Sequence, residues 1–136
     1  MNASHRSLEL TLLREQLGIV RLSADATFPS WACTGGFFSV TRTTDELSVV
    51  CARQNIPENL GCKVEWRALK VRGPFALSEV GVLSALAAPL AEGEVSLFAI
   101  STFDTDYLLV DSVQLKQAVA ALRRAGHTIR EDENGG

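Results

Sequence analysis

No stretch of this sequence reaches the ~20 consecutive apolar residues that a membrane span requires. The opening Met1-Asn2-Ala3-Ser4-His5-Arg6 also lacks the apolar centre of a secretory leader. A cytoplasmic chain without membrane contact is therefore expected. Basic residues are neither abundant nor clustered: 13 Lys and Arg face 16 Asp and Glu, for a net charge of −3. Nucleic acid is not an expected partner, because neutralising phosphates takes a concentrated basic surface. Cysteine is scarce. Cys33, Cys51 and Cys62 are odd in number and never spaced Cys-x-x-Cys, which points to reduced thiols, with Cys51 packed on an apolar strand face.

Catalytic constellations are missing too. There is no Ser-His-Asp set, phosphate-cradling glycine loop or clustered carboxylate pair, and His5 and His127 stand far apart. Asp104-x-Asp106 supplies two carboxylates with no histidine nearby, too few ligands for zinc or a hard cation. The expectation is a non-catalytic protein with no cofactor and no metal.

What is present is ordinary globular material: 46% hydrophobic and 21% charged residues. The length suits one domain, or two very small ones. The second half has clear periodicity. Glu65 to Val71 alternates as a strand, and Gly73-Pro74 breaks it. Ser78 is positioned to cap a helix, with Glu79 in its first turn and Leu83, Leu86, Ala87 and Leu90 as its buried stripe. Gly93 ends it.

Val95 to Ser101 reads as a strand buried on both faces, and Tyr107 to Val110 as its hairpin partner across Thr102–Asp106. Asp111 or Ser112 caps a second helix, with Gln114 closing a capping-box variant. Its stripe is Leu115, Ala118, Val119 and Leu122. The basic pair Arg123-Arg124 offsets the dipole at its end, and Gly126 stops it. His127 to Arg130 makes a last strand. Strand, helix, strand, strand, helix, strand is the split βαβ pattern, with both helices on one face of an antiparallel sheet.

The first half is richer in strand. Leu8, Leu10 and Leu12 alternate with Glu9 and Thr11 as a half-buried strand. Gly18 leads into Ile19–Leu22, and Phe28–Ala32 allows at most a short helix. Phe37–Thr41 and Glu46–Ala52 pair across the turn Arg42-Thr43-Thr44-Asp45. Asn55–Gly61 forms a short irregular connection. Trp31 and Trp66 read as core or interface anchors, and Phe37-Phe38 implies that both faces of their strand are covered. The expected divisions are a reduced module at 1–62, a full module at 63–131 and a disordered acidic tail at 132–136.

Phe98-Ala99-Ile100-Ser101-Thr102-Phe103-Asp104-Thr105-Asp106-Tyr107-Leu108-Leu109-Val110 resembles the signature of small ACT-domain proteins related to the CASTOR arginine sensors. Phe37–Thr43 with Glu46–Val50 resembles the first ACT module of that family, and Ser78–Leu83 the turn leading into an ACT helix. The likeness covers about residues 8 to 130. It implies an α+β fold of tandem ferredoxin-like ACT modules with no catalytic centre. It also implies a small amino-acid ligand at a module seam. Beyond the resemblance, a homodimer is expected to rebuild that seam here, and a separate effector protein to read it. The other reading is an interaction or assembly module that has lost its ligand.

Two segments are candidates for binding. Free N–H groups at a helix entrance receive an anion, which nominates Ser78, Glu79, Val80, Gly81, Val82 and Leu83, with Gly81 open to close approach. Asp104 offers a carboxylate to an ammonium, with the hydroxyls of Thr102 and Thr105, and then Asp106, beside it. The structural alternative for each is plain: a capped helix, and a turn whose side chains bond their own backbone.

Overall fold

The computed structural model describes residues 6–76 and 78–132. Its strands are β1 (Glu9–Leu12), β2 (Leu17–Leu22), β3 (Ser39–Arg42), β4 (Leu47–Ala52) and β5 (Trp66–Val71), then β6 (Phe98–Ser101), β7 (Asp106–Asp111) and β8 (Thr128–Glu131). Its helices are α1 (Val82–Glu92) and α2 (Leu115–Arg124). The chain divides into two compact units, one of residues 1–14 with 67–136 and one of residues 15–66.

In the larger unit the strands run β6-β7-β5-β1-β8. The split βαβ order holds from β5 onward. One strand is added: β1, grouped by sequence with residues 1–62, lies between β5 and β8, antiparallel to the first and parallel to the second. Leucine alternation in β1 sets which face is buried, and Leu10 opposite Val71 and Ile129 sets where. Leu86 and Leu90 of α1 and Ala118 and Leu122 of α2 share one core with Leu10, Leu69, Val71, Leu108 and Val110. Both helices therefore cover the same sheet face. Burying side chains of this size stabilises by ~1.5–3 kcal/mol each.

The helices differ from expectation in detail. The buried positions of α1 are Val82, Ala85, Leu86 and Leu90, while Leu83 is exposed, so the stripe is turned from the one read in sequence. β6 is shorter than read and alternates half-buried with exposed residues rather than being covered on both faces. Asp111 does not cap α2 directly: it accepts from the Val113 N–H at 3.0 Å and caps the 3-10 turn Ser112–Gln114 that leads into α2, whose own boundary residue Gln114 makes no side-chain cap. Gln114 closes no box; its amide donates to the Glu94 carbonyl.

In the smaller unit β4 pairs with β2 on one side and β3 on the other, both antiparallel. Leu47, Val49 and Cys51 share a buried cluster with Ala32, against which Trp31 packs. The helical content of this unit is limited to single 3-10 turns at Ser30–Ala32, Arg53–Asn55 and Glu58–Leu60. Phe38 lies just before β3 and is 45% exposed within the single chain. The tail beyond Asp132 lies outside the described residues, as does His5.

Candidate functional site

The turn after β6 is built by threonine. The Thr102 N–H and hydroxyl both donate to the Thr105 carbonyl, and the Thr105 N–H returns a bond to the Thr102 hydroxyl. Thr105 is buried and donates its own hydroxyl to the Val71 carbonyl. These hydroxyls therefore shape the turn. The Phe75 N–H donates to the Asp104 carbonyl at 2.8 Å. Gly73 is required beside it, since a Cβ there would fall 2.9 Å from the Asp104 carbonyl oxygen.

This docking brings the two candidate segments to one place. A cleft of about 310 Å³ is lined by Phe75, Glu79, Gly81, Val82, Leu83 and Ser84 on one side. Ser101 to Asp106 lines the other. Of the ten nominated residues, Ser78 and Val80 do not line it.

The helix entrance is not the one expected. Gly81 takes the N-terminal boundary position with φ +86°, and Ser78 lies in an exposed turn with no capping bond. Ser78 and Glu79 therefore precede the helix instead of opening it. A left-handed φ is what demands glycine at 81. A Cβ there would meet nothing within 4 Å, so the space above it is open. The first amides of α1 have no acceptor within the helix. The residues that carry them, Val82, Leu83 and Ser84, line the cleft.

Carboxylates dominate the remaining charge. The Glu79 carboxylate is answered by the Arg6 guanidinium at 3.0 Å, a half-exposed pair worth at most about 1 kcal/mol. Arg6 also donates to the Val80 carbonyl. Asp106 accepts a short bond from Ser101 Oγ. Asp104 is exposed, and among the described residues its carboxylate has no hydrogen bond or ion pair. Phe103, in the cleft lining, is 77% exposed, and Val80, next to Gly81 in sequence but outside the lining, is 83% exposed. Arg6 was missed in sequence because nothing local ties it to Glu79, 73 positions away. Among the described residues no group of three or more His, Cys, Asp or Glu side chains is placed to hold a metal. No helix there is long and apolar enough to cross a membrane.

A helix entrance facing a hairpin turn across the edge of a split βαβ module defines an ACT domain. The ACT-domain family profile matches residues 62–124, and a separate profile for an N-terminal domain matches residues 15–59. The crystal structure of protein Atu0741 from Agobacterium tumefaciens is 39% identical, with TM-score 0.88 over 96% of this chain and 98% of that one. The chain is a small ACT-domain protein of one family with the Agobacterium protein, and it is related to the CASTOR sensors. The relation to the latter is partial. Human cytosolic arginine sensor for mTORC1 subunit 1 is 33% identical over 60 residues, which are 43% of this chain and 18% of that protein. The rat protein is 35% identical over the same extent. Aspartokinase α and β subunits share the fold, with TM-score 0.59 at 16% identity over 88% of this chain and 98% of that one.

Proposed function

We propose that this protein is a non-catalytic, cytoplasmic regulator that binds a small amino acid in the cleft between Gly81 and Asp104. One observation carries the reading: the first turn of α1 and the unpaired Asp104 carboxylate line the same open space. The amides suit an α-carboxylate, and Asp104 suits an ammonium. With Glu79 answered by Arg6, the carboxylates of Asp104 and Asp106 give the cleft a negative balance that favours a cationic group on the ligand. A ligand with a cationic side chain is therefore favoured over one with an acidic side chain. The distant relationship to proteins named as arginine sensors is consistent with that preference.

The cleft is open on one side, and a second copy of the chain is the proposed cover. Ligand binding then favours one arrangement of modules, and only its difference in affinity between arrangements does the switching. A separate effector protein reads the result. The exposed Val80 and Phe103 favour a second reading, an assembly module that uses the same mouth without a ligand.

Thermal unfolding with each common amino acid added singly separates the two. Ligand at ~100 times its dissociation constant adds about 2.7 kcal/mol, several degrees for a domain of this size. Basic amino acids are expected to raise the midpoint and acidic ones to leave it in place. Asp104→Asn should erase the shift while leaving the unliganded midpoint unchanged. If no amino acid moves the midpoint, the sensor reading fails and the assembly reading stands.

A further inference from the structure

We propose that the unit of residues 15–66 holds a second binding site, for a small oxyanion of the carboxylate or phosphate class, anchored by Arg53. A cleft of about 440 Å³ is lined there by Gln16, Arg53, Gln54, Glu58, Cys62 and Lys63, among others. It shares no residue with the cleft at Gly81 and Asp104.

Arg53 is held in place but under-used. Its backbone N–H donates to the Gln16 carbonyl at 2.9 Å, and its carbonyl accepts from Ile56. Its side chain makes two contacts, from Nη2 to the carbonyls of Cys62 at 3.5 Å and Lys63 at 3.4 Å. Both lie at the far limit of hydrogen bonding. Its Nε is sealed from solvent without an acceptor. Nη1 has no protein partner among the described residues and is not sealed as Nε is, so this end of the guanidinium is the one left to a ligand in the cleft.

No acidic side chain pairs with Arg53 among the described residues. Exposed Lys63 adds a second cation to the cleft, and Glu58 is the one carboxylate in its lining. The balance is one positive charge. The wall is firm: Ile56 and Cys62 press over Gly18, where a Cβ would fall 2.9 Å from Cys62 Sγ. The free Nη1 of Arg53, a second cation and the carboxamides of Gln16 and Gln54 fit the planar or tetrahedral oxygens of an oxyanion.

The test is titration of the ¹⁵N-labelled full chain with inorganic phosphate and, separately, with acetate, each against sodium chloride of equal ionic strength. Saturable shifts of the Arg53 Nη1 protons and of the Gln16 and Gln54 side-chain amides are expected. The tighter of the two anions identifies the class. Arg53→Lys keeps the charge but loses the fork and should abolish saturation. Lys63→Gln, at an exposed position, should weaken binding roughly twofold to fivefold, as losing one exposed charge contact implies. Asp104→Asn should leave these shifts in place, whatever becomes of the other cleft. Equal shifts with chloride, or native affinity in both Arg53→Lys and Lys63→Gln, would overturn the site.

Discussion

Thr105 Oγ1 donates a buried 2.7 Å hydrogen bond to the carbonyl of Val71, joining the turn after β6 to the end of β5. That bond decides where Asp104 stands. Thr105→Val keeps the shape and removes the donor, leaving a buried carbonyl unpaired at a cost of about 1–3 kcal/mol. Urea unfolding should register that loss. Thr105→Ser, which retains the hydroxyl, should recover most of it.

Gly81 and Ser78 separate two accounts of how α1 begins. A left-handed backbone at residue 81 makes Gly81→Ala cost about 1–2 kcal/mol, although the added methyl has open space around it. Ser78 caps nothing, so Ser78→Ala should stay within about 0.5 kcal/mol. A loss of 1 kcal/mol or more at Ser78 would restore the serine as the cap. Midpoints of chemical unfolding decide between them.

The difference between these two residues marks what the sequence could reveal. Ser-Glu ahead of an apolar run is a sound capping signal, but it carries no backbone dihedral, and the glycine three residues later held the information. α2 was legible because its apolar stripe and Gly126 are local, although Asp111 caps the 3-10 turn ahead of the helix and not the helix itself. β1 was half legible. Its alternating leucines declare a buried face, while nothing in Leu8–Leu12 names β5 and β8 as its partners. The candidate cleft followed the same division: each wall had a chemical signature, and their meeting depended on Gly73 and Thr105, which only three dimensions bring to Asp104.

Glu94 offers a gain of stability. It holds φ +61° at the end of α1, while the glycine beside it has an ordinary negative φ. Gly93 is small for another reason, since a Cβ there would fall 3.2 Å from Ala121 Cβ. The Val95 N–H closes the helix end on the Leu90 carbonyl at 2.9 Å. Glu94→Gly removes the left-handed penalty and should stabilise by about 1 kcal/mol. Gly93→Ala should destabilise instead.

His127 is buried and works as a structural bridge. Its Nδ1 accepts from the Leu8 N–H at 3.0 Å, so its Nε2 carries the proton and donates to the Ala85 carbonyl at 3.0 Å. One imidazole thereby ties the entrance of β1 to α1. His127→Phe fills the volume but strands a donor and an acceptor, for a loss of about 2–4 kcal/mol. Amide exchange reports the same event locally, with Leu8 losing protection before the β5 strand does.

Cys51 carries the pH dependence. Burial is the main cause of a thiol pushed from 9.0 to about 11, with smaller contributions from the neighbouring Cys62, Cys33 and Glu15. In the unfolded chain the proton leaves near 9, and in the folded chain near 11. Between those values the unfolded state binds fewer protons, so stability falls as pH rises across that window and is unaffected by this group below it. Cys51→Ala should remove that part of the decline, seen as the difference between the two unfolding curves. At about pH 8 the same burial predicts an order of alkylation. Half-buried Cys33 and Cys62 should react with iodoacetamide first and Cys51 only when the protein unfolds. Labelling of Cys51 in the native chain at the rate of the other two would overturn the assignment of a sealed thiol.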